Sequence, residues 1–303
     1  MPRLVAVGSI AYDSLETPFG RRERALGGSA VHFALAARLF TEVGVVGVVG
    51  DDFDGEPVLA ERGVDTSGIQ VVTGGATFAW EGRYGYDLNV AETLDTRLGV
   101  FEHFDPQLGP AHRDAPVLFL GNIQPDLQRS VRAQSNAAFV ALDSMNLWIE
   151  IARDALVAAI GEVDAVVLND GEARQLTGEA TLVRAARAIS ALGPRIVVIK
   201  RGEYGAALFV DGRFFGVPGY PLEEVFDPTG AGDSFAGGFV GYLAASGQTS
   251  PDLEHLRRAV AYGSIVASFN VEEFGTERVQ RLARDEVDGR VRDFHAMTSF
   301  VLG

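Results

Sequence analysis

The chain has 303 residues, 47% hydrophobic and 22% charged, which is the balance of a soluble globular protein and not of a disordered one. Its 41 acidic and 26 basic residues give a net charge of −15, which argues against a general nucleic-acid binder, because displacing phosphate counterions needs a cationic surface. Cysteine is absent, and that excludes disulfide frameworks, thiolate zinc sites, Fe–S clusters and cysteine nucleophiles. Lys200 is the only lysine, and its surroundings lack the glycine spacing and the following Ser/Thr of a P-loop. Any phosphate site must therefore lean on backbone N–H groups and arginines.

The N-terminal run 4–7 is too short for a signal-peptide core, and no stretch approaches the ~20 apolar residues of a membrane span. A soluble cytoplasmic protein without membrane or nucleic-acid partners is the expectation. In chain order, 4–7 reads as a strand, 28–40 as a buried helix and 43–49 as a second strand. Segments 117–120, 138–142, 165–168 and 196–199 are continuous apolar runs of strand length, and 182–192 is helical. Such runs separated by helices imply a parallel sheet covered on both faces. Segments 206–210 and 213–217, joined by Asp211-Gly212, read as a hairpin. Helices are expected over 230–245, 253–269 and 277–284.

Segment 76–104 breaks this rhythm. Phe78, Trp80, Gly82, Tyr84 and Tyr86 fall at even spacing, on one face of a strand. The segment reads either as a small β-rich lid or as a surface hairpin with its aromatics packed on the core.

The segment richest in chemistry is Glu224-Val-Phe-Asp-Pro-Thr-Gly-Ala-Gly-Asp-Ser-Phe-Ala-Gly-Gly-Phe239. Thr229 is a candidate N-cap to an apolar helix. Gly230, Ala231 and Gly232 would present successive N–H groups at its N-terminus, a natural cradle for an anion. Asp233 falls in the first turn, where it could take a proton from an attacking hydroxyl. The plainer reading is a glycine-rich helix start.

This stretch matches the second signature of the ribokinase, or phosphofructokinase-B, family of carbohydrate and nucleoside kinases, and the resemblance extends along nearly the whole chain. It implies one α/β domain over 1–303, a mostly parallel sheet sandwiched by helices, with a β-lid drawn mainly from about 76–104. Gly8-Ser-Ile-Ala-Tyr-Asp13 resembles the family's first strand, which ends in a substrate aspartate, here Asp13. Gly27-Gly28-Ser-Ala-Val-His32 is similar to the di-glycine motif, with His32 where asparagine is usual. Gly27, Gly28 and His32 are thereby implied as substrate ligands, although a satisfied core histidine is the competing reading of His32. Asn169-Asp-Gly-Glu172 matches the Asn-x-x-Glu motif and implies Mg²⁺ held through water by Asn169 and Glu172. Alone, the same four residues read as a capping box.

By the same resemblance Lys200, Gly202, Gly205, Thr229 and Asn270 are implied at the ATP site, with Asn270 near the adenine, although a strand-end surface cation is the other reading of Lys200. Asp227 is implied beside a monovalent cation such as K⁺. The activity implied is transfer of the γ-phosphate of Mg-ATP to a hydroxyl of a sugar, or to the ribose 5′-hydroxyl of a nucleoside, in a homodimer joined through the lid. In Asp143-Ser-Met-Asn-Leu-Trp148, Leu147 stands where acid-sugar kinases carry arginine, which argues against those substrates. A non-catalytic sensor would lack Asp233 or the glycines, and both are present. A dinucleotide oxidoreductase would want a G-x-G-x-x-G after the first strand, and the five histidines show no metal-ligand spacing.

Overall fold

The computed structural model describes residues 1–300. Thirteen strands are present among the described residues: β1 (Leu4–Val7), β2 (Ala11–Thr17), β3 (Gly20–Gly27), β4 (Val43–Gly50), β5 (Asp65–Val72), β6 (Phe78–Tyr84), β7 (Ala91–Arg97), β8 (Val117–Leu120), β9 (Phe139–Asp143), β10 (Ala165–Asn169), β11 (Ile196–Lys200), β12 (Ala206–Val210) and β13 (Arg213–Val217). Nine of them form one sheet in the order β13-β12-β11-β10-β9-β8-β1-β4-β5. It is parallel from β5 to β11 and ends in the antiparallel strands β12 and β13.

The apolar runs are continuous because both faces of this sheet are covered. In β1 the alternation is direct: Leu4 and Ala6 join the core on one face, Val5 and Val7 the core on the other. On the first face lie the helices Ser29–Ala37, Ala231–Ser246 and Leu253–Asn270. Phe33 stacks on Phe119 there, with ring centroids 3.9 Å apart. Helix 231–246 approaches helix 29–37 so closely that a Cβ on Gly237 would stand 2.3 Å from Phe33 O. This contact fixes the glycine-rich helix start over the sheet.

The 206–217 hairpin forms as expected, with Asp211 and Gly212 both at positive φ, the conformation of a type I′ turn. The expected helix over 277–284 ends at Arg281, and a separate helix, Arg284–Thr298, follows. Edge strand β5 carries a mixed burial pattern with no clean period, and composition alone does not reveal it.

A second, four-stranded sheet has the order β3-β2-β6-β7. Half of it comes from 11–27, so the β-structure outside the main sheet is not mainly 76–104. Residues 99–103 form a 3₁₀ turn, and Phe101 and Phe104 pack into the main core. The evenly spaced aromatics also separate. Phe78 stacks on Phe101, the Trp80 ring lies over Gly82, Tyr84 turns to the loop before helix 231–246, and Tyr86 lies beyond the strand in solvent. The pairing slips by one residue opposite Glu81 and Gly82, where β7 carries an extra residue, Leu94, while β6 itself stays in unbroken register with β2.

Candidate active site

Strands β9, β10 and β11 are parallel neighbours, and each carries a polar residue at its carboxyl end: Asp143, Asn169 and Lys200. Ligands of open α/β sheets bind at this edge. Lys200 Nζ donates to Asp143 Oδ2 at 2.8 Å, with both side chains largely buried. Burial opposes the charge on Lys200, but Asp143 and Glu172 more than offset it, and the ammonium pKa is raised. Burial pushes the Asp143 carboxyl above its ordinary value, and the ammonium and the 2.8 Å hydrogen bond oppose that rise.

The N-terminus of helix 231–246 points into this cluster. A Cβ on Gly232 would stand 2.9 Å from Lys200 Nζ, so the sole lysine faces the first helical turn. Asp233, in that turn, is pushed up to about 7, first by burial and then by the Asp143 charge, against the pull of Lys200. Glu172 is also raised to about 7, chiefly by burial, with Lys200 opposing and Asp143 adding.

Asn169 and Glu172 form a capping box. Asn169 Oδ1 accepts from Glu172 N at 2.8 Å, and Glu172 Oε2 accepts from Asn169 N at 2.7 Å. The box aims the Glu172 carboxylate into the cluster, so the capping and functional readings of this motif are compatible. Asp143, Glu172 and Asp233 together offer buried oxygen donors balanced by one ammonium. Mg²⁺ suits this donor set. Among the described residues no three His, Cys, Asp or Glu groups converge closely enough to ligate an ion directly.

The loop ahead of the helix is tied down from several sides. Asp227, fully buried, accepts from Thr229 N at 2.9 Å and Gly275 N at 2.7 Å. Burial raises its pKa, and the two N–H groups lower it. Gly230 is left-handed at φ +71, and a Cβ there would stand 2.1 Å from His32 Nδ1. Ala231 N–H donates to Pro228 O at 3.1 Å, so this group is spent within the turn. Of the three candidate cradle residues, this leaves the N–H groups of Gly230 and Gly232 for an anion.

His32 and Asn270 are not where the resemblance implied. His32 is 1% and Asn270 0% exposed, both sealed beneath the loop. Asn270 Nδ2 donates to Thr229 O at 2.7 Å, and its Oδ1 accepts from Ser234 Oγ at 2.9 Å. That Oδ1 also meets His32 Nδ1 at 3.0 Å, so His32 carries its proton on Nδ1. Burial depresses the imidazole to about 4 and keeps it neutral. Both residues lie buried beneath the Gly230 turn and spend their hydrogen bonds there and on Ser234.

Asp13 lies within β2 of the second sheet, not at the end of the first strand. Gly27 makes room for it: a Cβ there would stand 1.9 Å from Asp13 Oδ2. Gly28, at φ +91, lets the chain turn against Ser9 and Ala11. Asp13 is raised to about 7, first by burial and then by Asp227, with Asp233 adding and the Gly28 N–H opposing. The charges acting on Asp13 are all carboxylates.

Gly202 and Gly205, both at positive φ, flank the turn after β11, where Arg201 N donates to Gly205 O at 2.8 Å. Thr229 Oγ1 donates to Tyr84 Oη at 3.1 Å. Asp143 and Tyr84 are the site residues that sequence reasoning did not assign. An acid closing a predicted parallel strand was the available signal for Asp143. Nothing local marks Tyr84 apart from its neighbours. A cavity of about 330 Å³ between β5 and His112 holds none of these groups.

A helix N-terminus with paired glycines, an adjacent carboxylate and a paired lysine at the carboxyl edge of a parallel sheet suits phosphoryl transfer. Residues 126–281 match the pfkB family carbohydrate kinases. The chain is 34% identical over 245 residues to the cytidine kinase of Thermococcus kodakarensis, covering 78% of this chain and 87% of that protein. It is 31% identical over 250 residues to the ATP-dependent ribose-1-phosphate kinase of Halopiger xanaduensis, covering 80% of each. The nucleoside kinase of Burkholderia thailandensis, solved with inosine, shares the fold at a TM-score of 0.78 and 21% identity, over 97% of this chain and 98% of that one. The protein belongs to the pfkB family of carbohydrate kinases and is a kinase acting on a sugar or nucleoside hydroxyl. Among the described residues no helix is long and apolar enough to cross a membrane.

Proposed function

We propose that this kinase phosphorylates the ribose CH₂OH of an uncharged nucleoside, using ATP. The observation that carries the reading is the setting of Asp13. It is buried, and the charges acting on it come from Asp227 and Asp233, with no lysine or arginine among them. Such a carboxylate takes hydroxyl groups as hydrogen-bond donors and would repel a phosphate placed beside it. The similarity to a cytidine kinase supports the same reading.

In the mechanism, Asp13 and the Gly27–Gly28 backbone hold the acceptor. Asp233 takes the proton of the CH₂OH as its oxygen attacks the γ-phosphorus. The new O–P bond forms as the bond from the γ-phosphorus to the β–γ bridging oxygen breaks, and ADP leaves with that electron pair. Gly230 and Gly232 N–H and the Lys200 ammonium face the charge on the transferred group. Mg²⁺, held through water by Glu172, Asn169 and Asp143, would screen the phosphate charges. The second sheet covers the acceptor and excludes water. The reading includes a homodimer through that sheet, whose edge strand β7 is exposed along its length, a cytoplasmic setting, and a monovalent cation at the Asp227 loop.

A transfer assay with cytidine, other nucleosides, ribose, fructose and ribose 1-phosphate tests the substrate. Nucleosides are expected to turn over and ribose 1-phosphate is not; the reverse pattern overturns the assignment. Asp233→Asn is expected to lower kcat by roughly 10²–10⁴-fold, and near-full turnover would remove Asp233 as the base. Sedimentation, and assays in K⁺ against Na⁺, check the dimer and the cation.

A further inference from the structure

The hairpin β6–β7 reaches from the acceptor side to the phosphate side at two points. Tyr84, the last residue of β6, accepts from Thr229 Oγ1 at 3.1 Å. Thr229 directly precedes Gly230, the first residue of the anion cradle, and its carbonyl is held by Asn270. Five residues on from Tyr84, Asn89 meets the turn after β11: a Cβ on Gly202 would stand 2.1 Å from Asn89 Oδ1. Tyr84 is largely buried there, and burial together with the Asp227 and Asp13 charges pushes its hydroxyl up to about 12, so it stays neutral.

We propose that Tyr84 is a positioning residue that latches the β6–β7 lid to the anion cradle through Thr229, so that phosphoryl transfer depends on the lid being closed. A cradle at a helix N-terminus works only if its N–H groups already stand where charge develops. The Gly230 turn is held from below by Asn270 and His32, and on the lid side by Tyr84. Opening the lid removes one of these supports. Closure would thus exclude water and complete the cradle in one motion. The inference rests on the kinase activity and not on which acceptor is used.

The test compares Tyr84→Phe, Thr229→Val and the double variant in steady-state transfer, with whichever sugar or nucleoside the unaltered enzyme phosphorylates fastest. Losing this one hydrogen bond is expected to lower kcat about tenfold while both KM values stay within about twofold. The double variant is expected to be no slower than the slower single one, because both remove the same contact. Amide exchange over 85–90, measured without any acceptor, is expected to quicken in Tyr84→Phe at an unchanged Tm. Unchanged kcat in Tyr84→Phe, effects that multiply in the double variant, or unaltered exchange over 85–90 would each overturn the latch. A wrong nucleoside assignment would show instead in the choice of acceptor.

Discussion

The Lys200 ammonium is paired with Asp143 at 2.8 Å and stands against Gly232 at the start of helix 231–246. The only lysine of the chain is therefore the local cation facing the carboxylates of Asp143, Glu172 and Asp233. Without a P-loop, its place is set by an acid on the neighbouring strand but one.

This pair predicts opposite shifts in pH dependence. Lys200 lowers the pKa of Asp233 and Asp143 raises it. Lys200→Met is expected to move the acid limb of the kcat/KM profile to higher pH and to cut kcat by roughly 10²–10³-fold. Asp143→Asn is expected to move the same limb to lower pH. Profiles that shift the same way in both variants would show that these charges do not act through Asp233.

The unaltered enzyme should lose stability as pH rises from about 4 to 7 without Mg²⁺ or ATP. Asp13, Asp233 and Glu172 have folded pKa values near 7 against ordinary values of 3.8 and 4.5. Between those limits the native state binds more protons than the unfolded chain, so stability is full below the ordinary values and falls through the folded ones. Calorimetry should show Tm lower at pH 7.5 than at pH 5 by at least about 5 °C. Mg²⁺ at pH 7.5 should recover part of this loss, since it neutralises the same carboxylates. A flat profile would mean that the three groups are not buried together.

The two cradle glycines should differ on substitution. Gly230→Ala places a Cβ in a left-handed turn, 2.1 Å from the buried His32 ring. It is expected to cost at least about 2 kcal/mol and to reduce kcat more than about 100-fold. Gly232→Ala meets only the far end of Lys200. Its stability should stay within about 1 kcal/mol of the parent while kcat falls about tenfold. Equal losses of Tm in the two variants would contradict this geometry.

Asn270→Ala tests the brace beneath the loop. It strands Thr229 O, Ser234 Oγ and His32 Nδ1 in a dry interior. A loss of about 2–3 kcal/mol and a lower kcat are expected, with the preference for ATP over GTP unchanged. A changed nucleotide preference would return Asn270 to the adenine site.

Much of the catalytic helix was legible before any coordinates, because its signals are local. Thr229 through Asp233 spell a helix start with room for an anion, and Asp211-Gly212 names its own turn. The apolar runs also announced a sheet covered on both faces, since continuous hydrophobicity has no solvent face to serve. The second sheet was half-hidden. Its strands β2 and β3 are largely polar over Ser14–Glu23, with only Leu15 and Phe19 as large apolar residues, and the partners of the β6 aromatics lie in distant parts of the chain.

The residues by themselves determined the family, the helix that carries the base, and the absence of a P-loop. Tertiary structure decided which of the marked residues face the cleft. Lys200 meets Asp143 across 57 residues, Tyr84 meets Thr229 across 145, and His32 meets Asn270 across 238. His32 and Asn270 went beneath the loop, Tyr84 met the loop from the lid side, and Asp143 paired with Lys200 in the interior. A turn or a helix start is set by backbone preferences within a few residues. Burial, and the charge a carboxylate keeps once buried, depend on what the fold packs against it.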